Sequence, residues 1–418
     1  MSSSLFSKYE IPLPDSGQKL LILVLAACCI PIVYSITLHP LARVPGPFLA
    51  KLSDLWHAYH LSTGTRHILL CDLHNKYEQG LHKIFSGSSP IEKSPFYKAF
   101  APGFPSSFAA VGDAFKQKKS ILSHAFAQKK LDAMEVTFME HTMKLYEAMV
   151  AQKVVDLDQA LSALTIDILS DVCFGETFDL IHNPAEKARV SDGLVQAAKW
   201  VSLEGTIWRW PLLQKIVRAL SNKFTTRQYP AQKRNASRRE DIFNYLLTAQ
   251  KPETGEPFPD PELFGEAIIL FVAGSDTTST ALLTTLWHLI SHKETYKTLA
   301  EEIRSKFSSI DDITYQEAQH LPYLRAVIEE GLRIFPPNSG FIPRQVIDSP
   351  RPFTLHDVVI PPGVQGLAWE EPLLLELDME FQDPLSESRK GYTPTDSFVL
   401  VRPHVRVLAK RRSKEECA

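Results

Sequence analysis

The chain has 418 residues, 44% hydrophobic and 22% charged, with a formal net charge of -3. That length fills one large domain or two ordinary ones around a substantial core, and the near-neutral charge argues against a nucleic-acid partner. The five cysteines, Cys28, Cys29, Cys71, Cys173 and Cys417, form neither a CxxC pair nor a Cys/His zinc spacing, so a disulfide framework is disfavoured and a reducing compartment fits better.

Residues 1–19 form an N-terminal lead. The next segment, "LLILVLAACCIPIVYSITL" from Leu20 to Leu38, carries no charge. Its length matches the roughly 20 residues of helix that cross a hydrocarbon core. No A-x-A-type site closes it, which argues against a signal peptide. A buried core helix is the bland alternative, but the proline-rich stretch that follows favours a transmembrane anchor. Arg43 and Lys51 follow the run, whereas Lys8, Glu10, Asp15 and Lys19 precede it. That asymmetry weakly places the body on the cytoplasmic side. Pro40, Pro45 and Pro47 cannot continue a helix, so 39–50 is predicted to be a stiff, extended connector.

Residues 51–418 are predicted to form one mainly helical body with a small β component. Apolar residues recur at i, i+3, i+4 spacing near 52–78, 113–150, 157–175, 187–203, 209–223, 231–250, 261–292, 293–307 and 315–334. Strand signals come late, in "RPFTLHDVVI" and "DSFVLVRPHVRVLAK".

Two stretches break the rules of their own elements. "FVAGSDTTST", Phe271 to Thr280, puts a glycine, an acid and hydroxyl residues inside an apolar helix. Gly costs a helix interior about 1 kcal/mol relative to Ala, and Ser, Thr and Asp compete for its backbone hydrogen bonds. The small Ala273 and Gly274 would let something flat and bulky approach the helix. Asp276 and Thr277 would set an acid and an alcohol beside it, able to pass protons. Hydroxyl back-bonding within a kinked helix is the alternative. In "LPYLRAVIEEGLRIFPP", Glu330 and Arg333 share a helix face at i, i+3, ahead of prolines that end the helix. The apolar neighbours Ile328, Leu332 and Ile334 predict a buried structural pair.

"AGSDTT" followed in order by "EEGLRIFPP" resembles the oxygen-activating helix and the E-x-x-R helix of the cytochrome P-450 haem-thiolate monooxygenases. "LHPLARVPGPFLAKLSDLWHAY" resembles the anchor-to-body junction of fungal microsomal members. "KKSILSHAFAQKKL" resembles their haem-propionate helix, "DILSDVCFGETFD" a core helix and "LAEEIRSKF" the helix after the oxygen-activating one. "FIPRQV" and "VIPPGV" resemble strands beyond the E-x-x-R helix. The resemblance implies a cytochrome P-450-like helical catalytic domain over 51–418 that uses haem b. It also implies a lipophilic small-molecule substrate, an NADPH-dependent reductase as partner, and an endoplasmic reticulum membrane location. In fungi, such proteins often act in secondary metabolism, on terpenoids or polyketides. By residue, it implies Ala273 and Gly274 at the haem face, Asp276 and Thr277 as proton deliverers, and Glu330 and Arg333 as a brace. Lys119 and Arg344 would contact the propionates, with Phe115 and Lys119 at positions where relatives carry an aromatic or His and an Arg.

The sequence departs from the family where iron should be held. No "FxxGxRxCxG" loop lies between the E-x-x-R helix and the C-terminus, and after Val364 the chain runs "QGLAWEEPLLLELDMEFQDPLSESRKGYTP". Relative to the family, segments are missing near 364–373 and near 80–87. None of the five cysteines is framed as a replacement, so no metal ligand is assigned. The chain is therefore expected to bind haem weakly or not at all, and the alternative to a working monooxygenase is an inactive member that keeps the family's shell.

Overall fold

The computed structural model describes residues 16–44, 46–53, 55–66, 69, 73, 89–100, 106–152, 154–225, 242, 250, 255–338, 341–355, 358–369, 395–397, 399–401 and 406–408. In chain order come helices α1 (Ser16–Thr37), α2 (Phe48–Leu52) and α3 (Leu55–Ser62), then strand β1 (Ile91–Lys93). Helices α4 (Gly112–Ala125) and α5 (Gln128–Gln152) follow, then β2 (Val154–Asp156), α6 (Leu157–Phe174), α7 (Pro184–Thr206) and α8 (Pro211–Thr225). Next are α9 (Asp260–Ser291), α10 (Lys293–Lys306), α11 (Tyr315–Ala318) and α12 (Pro322–Ile334). The β elements after them are β3 (Phe341–Val346), β4 (Phe353–Leu355), β5 (Val358–Ile360), β6 (Gln365–Trp369), β7 (Thr395–Ser397), β8 (Val399–Val401) and β9 (Arg406–Leu408). The predicted mainly helical body with a small β component is what forms.

The helix ends follow local chemistry. Asp156 caps α6 by accepting from Gln159 N–H, and Asn183 caps α7 by accepting from Glu186 N–H, with Pro184 in the first turn. The single segment predicted at 113–150 is two helices, because Phe126 leaves the helical region at φ -99, ψ 21. The connector predicted as extended is instead a run of turns. Ala42 N–H donates to His39 O at 2.8 Å and Val44 N–H to Leu41 O at 3.0 Å, while Lys51 Nζ reaches back to Ala42 O at 2.8 Å. Proline forbids helix but not turns, so the same residues that end α1 still allow this run. The helix predicted at 231–250 and the gap near 80–87 lie outside the described residues.

The core is built on α6 against α9. Leu161, Leu164 and Ile166 of α6 pack with Phe271 and Leu283 of α9, joined by Leu180 and Ile181. Burying a Leu side chain of this kind contributes about 1.5–3 kcal/mol. Helix α12 crosses α9 where Gly331 meets Thr285, so closely that a Cβ at 331 would collide with the Thr285 hydroxyl. Beside the helices lies an antiparallel sheet in the order β1-β3-β6, with Lys93 opposite Arg344 and Arg344 opposite Gly366.

Candidate functional site

The middle of α9 has closed and open stretches. Ser275, Ser279, Thr280 and Thr284 are buried. Their hydroxyls donate back to carbonyls one turn earlier: Ser279 to Asp276 O at 3.1 Å, Thr280 to Asp276 O at 2.8 Å and Thr284 to Thr280 O at 2.9 Å. These hydroxyls satisfy themselves inside the core, which is the bland reading. One to two turns before Thr280 the helix is open, with Ala273 exposed beside Val272 at 37%. Thr277 borders this open side, with its hydroxyl donating to Ala273 O at 2.6 Å.

Gly274, assigned to the haem face by resemblance, turns instead toward α6. A Cβ there would stand 2.9 Å from Leu169 Cδ1. The glycine permits the close α6–α9 approach, and Ala273 alone carries the small-residue role on the open side. Asp276 is half-buried, with Oδ2 shielded from solvent.

Glu330 and Arg333 form the predicted pair as a two-pronged fork, Arg333 Nε to Glu330 Oε2 at 2.6 Å and Nη2 to Oε1 at 2.6 Å. The fork holds the Glu330 carboxyl below its usual range, against the opposing effect of burial; the Arg333 charge and nearby His288 add to the lowering. The pair is not buried as expected. Arg333 is 10% exposed but Glu330 is 54% exposed, and Ile328 and Leu332 stand 46% and 40% open. Apolar character alone does not bury a residue, and no described element covers Ile328 and Leu332.

The cations differ from expectation too. Lys119 is exposed. Its neighbour Lys118 is the buried one, bonded to Glu262 at 2.7 Å and Glu266 at 3.2 Å on α9. Glu266 also accepts from Ser107 N–H and Ser107 Oγ, both at 2.6 Å, which ties the 106–110 segment to α9. Arg344 lies in β3 facing Lys93 of β1. Lys93 Nζ donates to Ser107 O at 2.8 Å and sits 4.1 Å from the centre of the Phe115 ring. Burial first, and then the Arg344 charge, pull Lys93 down to about 8, with Glu266 opposing. Sequence reasoning missed Lys93, because one lysine in a three-residue strand carries no motif or periodic signal.

Haem would need a flat apolar face, cations for its acid groups and a thiolate for its iron. Ala273 leaves α9 open for the first, and Lys119 and Arg344 are the cations that would serve the second. The described cysteines do not meet the third. Cys29 is exposed in α1, and Cys173 is buried in α6 among Ala125, Ile242 and Leu263, away from the open side. Among the described residues no cluster of His, Cys, Asp and Glu could hold a metal ion either.

The cytochrome P-450 family model matches residues 87–370. Cytochrome P-450 monooxygenase AKT7 of Alternaria alternata is 30% identical over 362 residues, a match covering 76% of this chain and 67% of AKT7. Cytochrome P-450 monooxygenase cpaH of Aspergillus oryzae is 28% identical over 367 residues, covering 81% and 72%. Among solved structures, the cyanobacterial CYP120A1 with retinoic acid bound is similar at a TM-score of 0.53 and 20% identity. That match covers 69% of this chain but only 64% of CYP120A1, less than two thirds of its length. It is a likeness of fold alone.

Proposed function

The chain belongs to the cytochrome P-450 family, and from that premise we propose that its fold is built for inserting one oxygen atom into a lipophilic small molecule. The observation that carries this reading is the open side of α9, where Ala273 leaves room beside the half-buried Asp276 and Thr277. In this reading Asp276 and Thr277 pass protons toward that side. The Thr277 hydroxyl, now donating to Ala273 O, can turn outward while its oxygen accepts from a neighbour. Glu330 and Arg333 brace α12, and Arg344 and Lys119 take the acid groups of haem b, the cofactor of the family. The fungal relatives AKT7 and cpaH are cytochrome P-450 monooxygenases, and in this reading the chain serves fungal secondary metabolism, on a terpenoid or polyketide substrate. Helix α1 would anchor the protein in the endoplasmic reticulum membrane with the 51–418 body on the cytoplasmic side, where an NADPH-dependent reductase supplies electrons.

One observation favours a second reading for the 418 residues as they stand: no described cysteine reaches the open side of α9. The test is the spectrum of the reduced chain under carbon monoxide. No thiolate-type red-shifted Soret band is expected, and its absence favours the inactive shell. A clear band would show that one of the five cysteines ligates iron and would restore the monooxygenase. Genomic sequence around codons 364–373 gives a second check, since an in-frame "FxxGxRxCxG" there would place the activity in a longer form.

A further inference from the structure

Glu262, Glu266, Ala273 and Thr277 fall on one stripe of α9, because steps of four and seven residues return to nearly the same direction. The first half of the stripe is covered, with Glu266 5% exposed and Glu262 half-buried. Ala273, about 10 Å further along the axis, is exposed.

The cover consists of Lys118 on α4 and residues 106–110. Lys118 Nζ donates to Glu262 Oε2 at 2.7 Å and to Glu266 Oε1 at 3.2 Å. Ser107 gives Glu266 both of its donors, N–H to Oε1 and the hydroxyl to Oε2, each at 2.6 Å. Ser106 O closes the turn by accepting from Ala109 N–H at 3.2 Å and Ala110 N–H at 2.9 Å. The Phe108 ring rests against Tyr97 and Phe100, with ring centres 5.1 and 5.0 Å away.

The closed position also carries a cost. The Ser106 hydroxyl is buried and has no hydrogen-bond partner among the described residues, and a buried group left unpaired is destabilising. Freeing Ser107 from Glu266 would let that hydroxyl reach water. The two charge-assisted bonds to one carboxylate therefore hold the segment down against a standing pull to open.

We propose that Glu266 is a positioning residue that fixes residues 106–110 as the end wall of the open stretch at Ala273, and so limits the length of an apolar ligand lying along α9. The ligand face is that of the proposed function, on which this role rests, but neither iron nor its ligand is needed to test it.

The full 418-residue chain carrying Ala273→Cys is alkylated in detergent with N-ethylmaleimide or the bulkier N-(1-pyrenyl)maleimide, and each cysteine peptide is followed by mass spectrometry. Relative to the exposed Cys29, the wall should slow the bulky reagent at 273 roughly tenfold more than the small one. Adding Glu266→Gln should raise the bulky rate at 273 roughly tenfold, the effect of losing a bond to a charged group, and leave the small reagent unchanged. The buried Cys173 should stay unlabelled in both chains, which separates a local release from general unfolding. Ser107→Ala removes the hydroxyl bond alone and should give a smaller rise. If Glu266→Gln also exposes Cys173, Ser107→Ala decides, and an unchanged size ratio there overturns the proposal. No size selection in the parent, or an equal rise for both reagents in Glu266→Gln, overturns it as well. Slow labelling at 273 by both reagents would overturn the wall together with the open stretch behind the proposed function, whereas loss of size selection alone strikes only the wall.

Discussion

The interface of α6 with α9 and the face of α12 next to it are built from similar residues and finished differently. Between α6 and α9, Leu283, Thr280 and Thr284 are at most 1% exposed, and both hydroxyls return to their own helix. On α12, Ile328 and Leu332 are nearly half open, and the Glu330 carboxylate is 54% exposed although its partner Arg333 is 10% exposed. The acid–base pairs repeat the contrast: Lys118 is enclosed by Glu262 and Glu266, whereas Glu330 and Arg333 hold each other at an uncovered edge. A closed interface turns polar residues into internal fasteners. An open one leaves the same residue types available to a ligand or to more chain.

Truncation tests that contrast most strongly. Leu283→Ala should destabilise the protein by about 2–5 kcal/mol, because Leu283 is fully enclosed and the cavity cannot collapse. Leu332→Ala should cost less than about 1 kcal/mol. Denaturant midpoints that fall equally for the two would show that the α12 face is covered after all.

Overpacking the closed side comes next. Gly274→Val should lower stability by about 1–3 kcal/mol, since its Cβ alone would stand 2.9 Å from Leu169 Cδ1. Ala273→Val, on the exposed side, should stay within about 1 kcal/mol of the parent. A thermal shift of the reverse order would return Gly274 to the open face.

The Lys93 ammonium sharpens the comparison through pH. Its pKa falls from 10.5 unfolded to about 8 folded. Between those values the unfolded chain binds more protons than the folded one, so this group makes stability rise with pH across that window. Lys93→Met should remove that part of the slope. An identical slope in the two proteins would mean that Lys93 is solvated like an ordinary lysine.

The smallest effect is expected at the open ion pair. The folded Glu330 carboxyl is lowered below its ordinary value of 4.5, chiefly by the bond from Arg333. Its contribution is therefore complete above that value and lost as pH falls through the folded one. With Glu330 half exposed, solvent screens the pair, and Glu330→Gln at neutral pH should cost less than about 1 kcal/mol. A much larger loss would reveal a cover over α12.

Much of this was legible in the chain itself. The periodic apolar spacing located α6, α9 and α10, because a helix must bury one stripe whatever it packs against, while the single segment at 315–334 is divided into α11 and α12. The i, i+3 spacing of Glu330 and Arg333 was enough to pair them, since a helix brings such residues together without outside help. The neighbourhoods of those residues were not legible. Gly274, placed at the haem face by resemblance, contacts Leu169 of α6, and Lys118 rather than its neighbour Lys119 is the buried cation. Adjacent positions on a helix differ by about 100° in direction, and only the partner helix decides which of the two is enclosed.

By itself, the sequence determined the mainly helical body, the order of its chief helices and the family motifs. All of these are local in the chain: caps, periodicity and short motifs act over one or two turns. Only the tertiary structure decided which hydroxyls of α9 are fasteners, that Glu330 stays half open, and that Lys93 faces Arg344. Lys93 and Arg344 are far apart along the chain and meet only through the register of β1 on β3. No local pattern sets that register; it follows from which faces of distant segments must be buried together.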